Sequence, residues 1–195
     1  MTEPAAIRRG AYPGSFNPPT TAHLAIAAAA RDRHALNRVD LVVSRRALNK
    51  EHVEIPRFDD RIAVLRAVAD RLGWLGVVVT QAQLLVDIAA GYDVLVLGAD
   101  KWHQVLDIQY YGDSPAARDD AVARLPILAI APRPPYEVPP EHLLVLAQDH
   151  SATSSTAARL GNTAEMAPEA AAFDAATGAW TDPARYTRYL NEGGH

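Results

Sequence analysis

The chain contains no cysteine. Disulfides, thiolate metal sites and thiol nucleophiles are therefore excluded together. It also lacks a long apolar run. A membrane helix needs about 20 such residues, and the alanine-rich stretch at 25–30 is far shorter. There is no surplus of positive charge: 19 Lys and Arg stand against 23 Asp and Glu, a net charge of −4. That balance argues against nucleic acid as a partner. The seven histidines show neither an HExxH pattern nor clustered spacing, so no metal-ligand signature is present. The opening MTEPAAIRRGAYPG lacks the apolar centre of a secretory leader. These absences together lead us to expect a cytoplasmic protein that spans no membrane.

What is present is strand–helix alternation. Short β-branched runs lie at 7–12, 39–44, 75–79, 94–97, 127–131 and 143–146. Between them, helical composition is expected at 22–36, 57–72, 82–90, 101–110 and 115–124. In the second of these, Ile62, Leu65, Val68, Ala69 and Leu72 recur at helical period, and Gly73 follows as a stop. Ser114 precedes Pro115, the order of a cap and a first helical residue. Alternation of this kind predicts a Rossmann-like, doubly wound parallel sheet of about five to six strands with helices on both faces. At 195 residues, such a domain buries a core without staples. The proline-rich 132–140 reads as an extended loop. We expect one domain over 1–160 and a helical extension over 161–195 packed on it, ending in a helix at 183–190.

Two segments carry chemistry. GSFNPPTTAH, at 14–23, leaves the first strand and opens the first helix. In a parallel sheet, ligands bind where strand C-termini meet helix N-termini. Gly14 lets a phosphate approach the backbone, and Pro18 and Pro19 stiffen the loop. Thr20 or Thr21 caps the helix, and His23 lies in its first turn, near the positive end of the dipole. The second segment, TSSTAAR at 153–159, follows the last expected strand. Ser154, Ser155 and Thr156 supply hydroxyls and N–H groups to a second helix start, and Arg159 adds a phosphate-binding fork one turn on. Each segment alone also reads as an ordinary capped helix. Their conjunction, one after the first strand and one after the last, is far more specific.

These residues resemble the nucleotidylyltransferase superfamily. Gly14, Phe16, Pro18, Thr20 and His23 match its first signature, with Ala22 where the family has glycine. Thr20 in place of the first histidine is similar to the phosphopantetheine adenylyltransferase branch. Ser154, Ser155, Thr156 and Arg159 match the Ser-Ser-Thr-x-x-Arg motif. Gly98 and Asp100 resemble the Gly-x-Asp segment of the nicotinate and nicotinamide mononucleotide enzymes, and so does the stretch 161–168. The Ser-Tyr-Thr stretch that reads the nicotinate ring in those enzymes is replaced by TQAQLLVDIAAG.

The resemblance implies transfer of a nucleoside monophosphate, AMP from ATP, to a phosphate-bearing acceptor such as a pyridine mononucleotide. It implies that Gly14, Ser15, Phe16, Thr20, His23, Gly98, Asp100, Ser154, Ser155, Thr156 and Arg159 hold the nucleotide. His23, Lys50 and Arg159 would stabilise the reaction's charge, and Lys50 and Trp102 would meet the acceptor. Trp102 reads equally as core, His103 as surface, and Arg57 and Arg61 as helix-start arginines, with Arg61 structural. Mg²⁺ would arrive on the triphosphate, with no protein ligand set. The expected partners are small molecules; association into a homo-oligomer stays open. A cytidylyltransferase, a phosphopantetheine adenylyltransferase, a nucleotide-binding protein without catalysis and a relative of class I aminoacyl-tRNA synthetases are the competing readings. The chain is short for a synthetase and has no Lys-Met-Ser-Lys-Ser-like loop.

Overall fold

The computed structural model describes residues 7–45, 55–148, 150 and 153–193. Five strands form one sheet: β1 (Arg9–Pro13), β2 (Arg38–Ser44), β3 (Leu75–Thr80), β4 (Val94–Gly98) and β5 (Ile127–Ala131). Their order is β3-β2-β1-β4-β5 and every pairing is parallel. The chain runs outward from β1 to one edge, then returns to β4 on its other side. That reversal opens a crevice beyond the C-termini of β1 and β4.

The strands alternate as a two-sided burial requires. Val39, Leu41 and Val43 face one helical layer, and Val42 faces the other. Val94 and Val96 likewise oppose Leu95 and Leu97. The first layer holds α1 (Thr21–His34) and α2 (Phe58–Leu72). The second holds α3 (Leu85–Ile88), α4 (Ala99–Leu106) and α5 (Pro115–Ala123). Each fully buried aliphatic side chain in these layers contributes about 1.5–3 kcal/mol. Residues 161–191 add α7 (Pro168–Thr177) and α8 (Pro183–Asn191) after the short α6 (Ser155–Arg159). They pack on the first layer: Tyr186 is fully buried, accepts the Arg57 N–H at 3.0 Å and donates to the Asp60 carboxylate. Arg71 of α2 pairs with Glu169 of α7.

Three expected elements come out differently. Residues 143–146 do not form a sixth strand; Leu143 meets Ile130 at one parallel bridge, with hydrogen bonds of 2.8 Å on either side. Pro139 and Pro140 lead into this stretch, and prolines withhold the donors a longer ladder needs. Residues 101–110 are not one helix. The Asp107 side chain accepts the Gln109 N–H at 3.1 Å, ending α4 and starting a separate 3-10 turn over Ile108–Tyr111. Of 82–90, only Leu85–Ile88 is helical. Among the described residues, no helix is long and apolar enough to cross a membrane.

Candidate nucleotide site

A cleft of about 600 Å³ opens at the C-terminal ends of β1, β4 and β5. Its floor begins where β1 ends. Gly14 still donates to Val42 at 3.1 Å, and then the chain turns sharply. Phe16 folds back over Gly14 so closely that a Cβ there would lie 2.8 Å from its ring. Phe16 itself adopts a positive φ of 45°, which costs a non-glycine residue about 1–3 kcal/mol unless its surroundings enforce it. The buried Phe16 ring meets Tyr12 edge-on at 5.5 Å and His23 at 5.1 Å. These three rings form the seat of the site.

His23 is held by the helix start. The Thr20 N–H donates to His23 Nδ1 at 3.0 Å, and the Thr20 hydroxyl lies 2.7 Å from the same nitrogen. In return the His23 N–H donates to Thr20 Oγ1 at 3.4 Å, a capping box with histidine in the usual Glu or Gln position. Because Nδ1 accepts, the ring proton resides on Nε2. Burial, with a contribution from the Arg133 charge, pushes the imidazole pKa down to about 4. At neutral pH, His23 is thus an uncharged donor lining the cleft.

Ser154, Ser155 and Thr156 also line the cleft. Ser154 caps α6 through the Ala157 N–H at 3.0 Å. The Ser155 hydroxyl donates to the Pro18 carbonyl at 2.8 Å, tying the two motif segments together. Gly98 and Asp100 line the cleft at the end of β4, where the Asp100 carboxylate folds back so that a Cβ on Gly98 would lie 2.6 Å from it. The buried Tyr12 phenol has its pKa raised by burial and by the Asp100 charge.

Ten of the expected residues thus share one cleft: Gly14, Ser15, Phe16, Thr20, His23, Gly98, Asp100, Ser154, Ser155 and Thr156. Two others, Arg159 and Trp102, do not join them. Arg159 lies outside the lining; its guanidinium donates to the Asn17 carbonyl and, at 3.2 Å, to Thr156 Oγ1. Trp102 is buried in the second layer beside Val105 and Leu128, where α4 packs on the sheet. Lys50 falls outside the described residues.

The expectations also missed residues. Arg133 and Lys101 line the cleft, two full positive charges against the single carboxylate of Asp100 among the described lining residues. Arg133 rides on the proline-rich loop after β5, a segment with no motif to mark it. His103 is exposed, as expected, and touches that loop: its Nε2 lies 3.0 Å from the Glu137 carbonyl, and its ring meets Tyr136 at 5.1 Å. The signal that marks Arg133 is its place two residues past a strand C-terminus. Among the described residues, no group of three or more His, Cys, Asp or Glu assembles. A divalent cation brought in by a triphosphate fits this donor set, because Mg²⁺ keeps its waters and takes few protein ligands.

The family model for cytidylyltransferase-like proteins matches residues 11–160. A comparison with curated protein sequences returns no match. Among solved structures, the fold is similar to that of Plasmodium falciparum nicotinic acid mononucleotide adenylyltransferase complexed with APC. The TM-score is 0.57 at 13% identity, covering 96% of each chain.

Proposed function

The chain belongs to the cytidylyltransferase-like family of the nucleotidyltransferase superfamily, and on that premise we propose that it transfers AMP from ATP to a phosphate-bearing acceptor such as nicotinate or nicotinamide mononucleotide. One observation carries the reading: the Gly14–His23 loop and the Ser154–Thr156 wall face the same cleft at the point where the strand order reverses. The pyridine mononucleotide acceptor draws its support from the Gly98–Asp100 segment and from the solved structure of similar fold.

The chemistry asks little of the protein covalently. The acceptor phosphate is already ionised and attacks the α-phosphorus directly. The new P–O bond forms as the bond to the β-phosphate oxygen breaks, and pyrophosphate leaves with that electron pair. No base is required, so catalysis reduces to alignment and charge stabilisation. His23 Nε2–H donates to the α-phosphate oxygens without a full charge that would hold the ground state equally well. Lys101 and Arg133 draw the triphosphate into the cleft, the Ser155 and Thr156 N–H groups meet its β- and γ-oxygens, and Lys50 meets the acceptor phosphate. Mg²⁺ enters as part of the ATP substrate and screens its charge.

The test is a panel of phosphorylated acceptors incubated with ATP and with CTP, followed by pyrophosphate release. Pyrophosphate formed one-for-one with a dinucleotide from ATP and a pyridine mononucleotide is the expected result. Turnover with CTP alone would reassign the base. ATP binding with no release from any acceptor would favour a binding protein without catalysis, a reading supported by the Ala22 methyl in the cleft lining.

A further inference from the structure

The turn at Ser15–Pro19 is gripped from behind. Arg61, itself buried, donates to the Ser15 carbonyl at 3.4 Å. Arg159 donates to the Asn17 carbonyl, Ser155 to that of Pro18, and the Ala167 N–H to that of Pro19 at 2.9 Å. The turn's side-chain amide oxygen, Asn17 Oδ1, takes the Trp180 indole N–H at 2.7 Å. Both residues are 5% exposed and they lie 163 positions apart in the chain. Such a bond has no water to compete with it, and breaking it leaves a buried group unsatisfied.

Trp180 stands on a rigid pedestal. Asp174, also 5% exposed, accepts the Trp180 N–H at 2.7 Å, the Thr181 N–H at 3.0 Å and the Thr181 hydroxyl at 2.7 Å. Gly178, at a φ of 75°, ends α7 where a Cβ would lie 2.9 Å from the Asp182 carbonyl. Phe173 closes on the indole edge-on at 5.9 Å. This C-terminal corner therefore adjoins the strained Phe16, whose ring seats His23.

We propose that Trp180 is a positioning residue of the nucleotide site: its indole N–H fixes Asn17, Asn17 holds the Phe16 turn, and the Phe16 ring sets His23. The C-terminal segment is then part of the anion cradle, although none of its described residues lines the cleft. The kinetic consequence rests on the transferase reading; the binding consequence does not.

The experiment is Trp180→Phe, which removes the donor and keeps an aromatic ring beside Phe173. Inorganic pyrophosphate is the binding probe, followed by calorimetry well below the unfolding midpoint. Affinity is expected to fall about three- to tenfold, the range of one buried hydrogen bond, and the His23 ring resonances in NMR to move. With ATP and a working acceptor, kcat is expected to fall by about the same factor while the acceptor KM holds. A variant with a lowered midpoint but unchanged pyrophosphate affinity and unchanged His23 resonances would overturn the proposal. If Trp180→Phe does not fold, the wild-type protein answers. Its Trp180 indole N–H resonance should be slow to exchange and should shift when pyrophosphate is added; an indole signal indifferent to pyrophosphate would overturn the proposal. Absence of transfer to every acceptor, with these binding and NMR responses intact, would sink the transferase reading alone.

Discussion

The two ends of the parallel sheet carry similar side chains and use them in opposite ways. At the N-terminal end, the Asp40 carboxylate is fully buried and closed in by partners. Arg9 and Arg38 each reach it at 2.6 Å, and Tyr92 donates to it at 3.1 Å. Its pKa is lowered by hydrogen bonds from Arg38 and Arg9, against burial acting the other way. Gly76 leaves the space, since a Cβ there would fall 2.0 Å from Asp40 Oδ1. At the C-terminal end, Arg133 and Lys101 face an open cleft, and His23 keeps a donor without a partner among the described residues. A closed charge cluster holds the sheet; an open one leaves field and donors for a ligand.

The largest effect expected from breaking this contrast is at His23. His23→Ala should lower the rate of pyrophosphate release about a hundred- to a thousandfold, with about 0.5–2 kcal/mol of stability lost along with its capping-box bond. Unaltered turnover would remove His23 from the mechanism. At the other end, Asp40→Ala should do the reverse. Its arginine partners are half-exposed, so the loss should be nearer about 2–3 kcal/mol than the figure for a fully buried pair. Denaturant unfolding would measure that loss, while turnover per folded molecule stays at the wild-type level.

Smaller effects sharpen the comparison. Arg133→Ala should weaken ATP binding about tenfold, the scale of one charge-assisted hydrogen bond. It should also raise the His23 pKa, because a neighbouring positive charge disfavours the imidazolium. NMR titration of the nucleotide-free protein checks both values, with about 4 expected in the wild type. The sign for stability follows. His23 is neutral when folded and protonates near its ordinary 6.5 when unfolded, so its contribution is present above that pH and is lost as pH falls through about 4. The smallest effect belongs to Ala22→Gly. Removing that methyl from the open cleft should improve ATP affinity about two- to threefold, less than the about tenfold or more of a methylene in an enclosed pocket, at a helix cost of about 0.5–1 kcal/mol.

The sequence by itself determined the sheet and the two loops that matter. Alternating Val and Leu runs specify strands buried on both sides, and Gly14, Thr20 and Ser154 carry local rules for turns and caps that act within a few residues. Those rules put His23 where a strand gives way to a helix, and Ser154–Thr156 at the start of α6. Tertiary structure alone decided which neighbours each side chain met. The spacing of Arg159 suits a phosphate clamp, yet its guanidinium reaches the Asn17 carbonyl. Trp102 fills the second core layer because α4 packs inward there, and Arg133 enters the cleft on a loop that His103 touches. Trp180 reaches Asn17 across 163 positions. Periodicity and capping are short-range physics and can be read along a chain; hydrogen bonds between distant segments exist only after the core has closed.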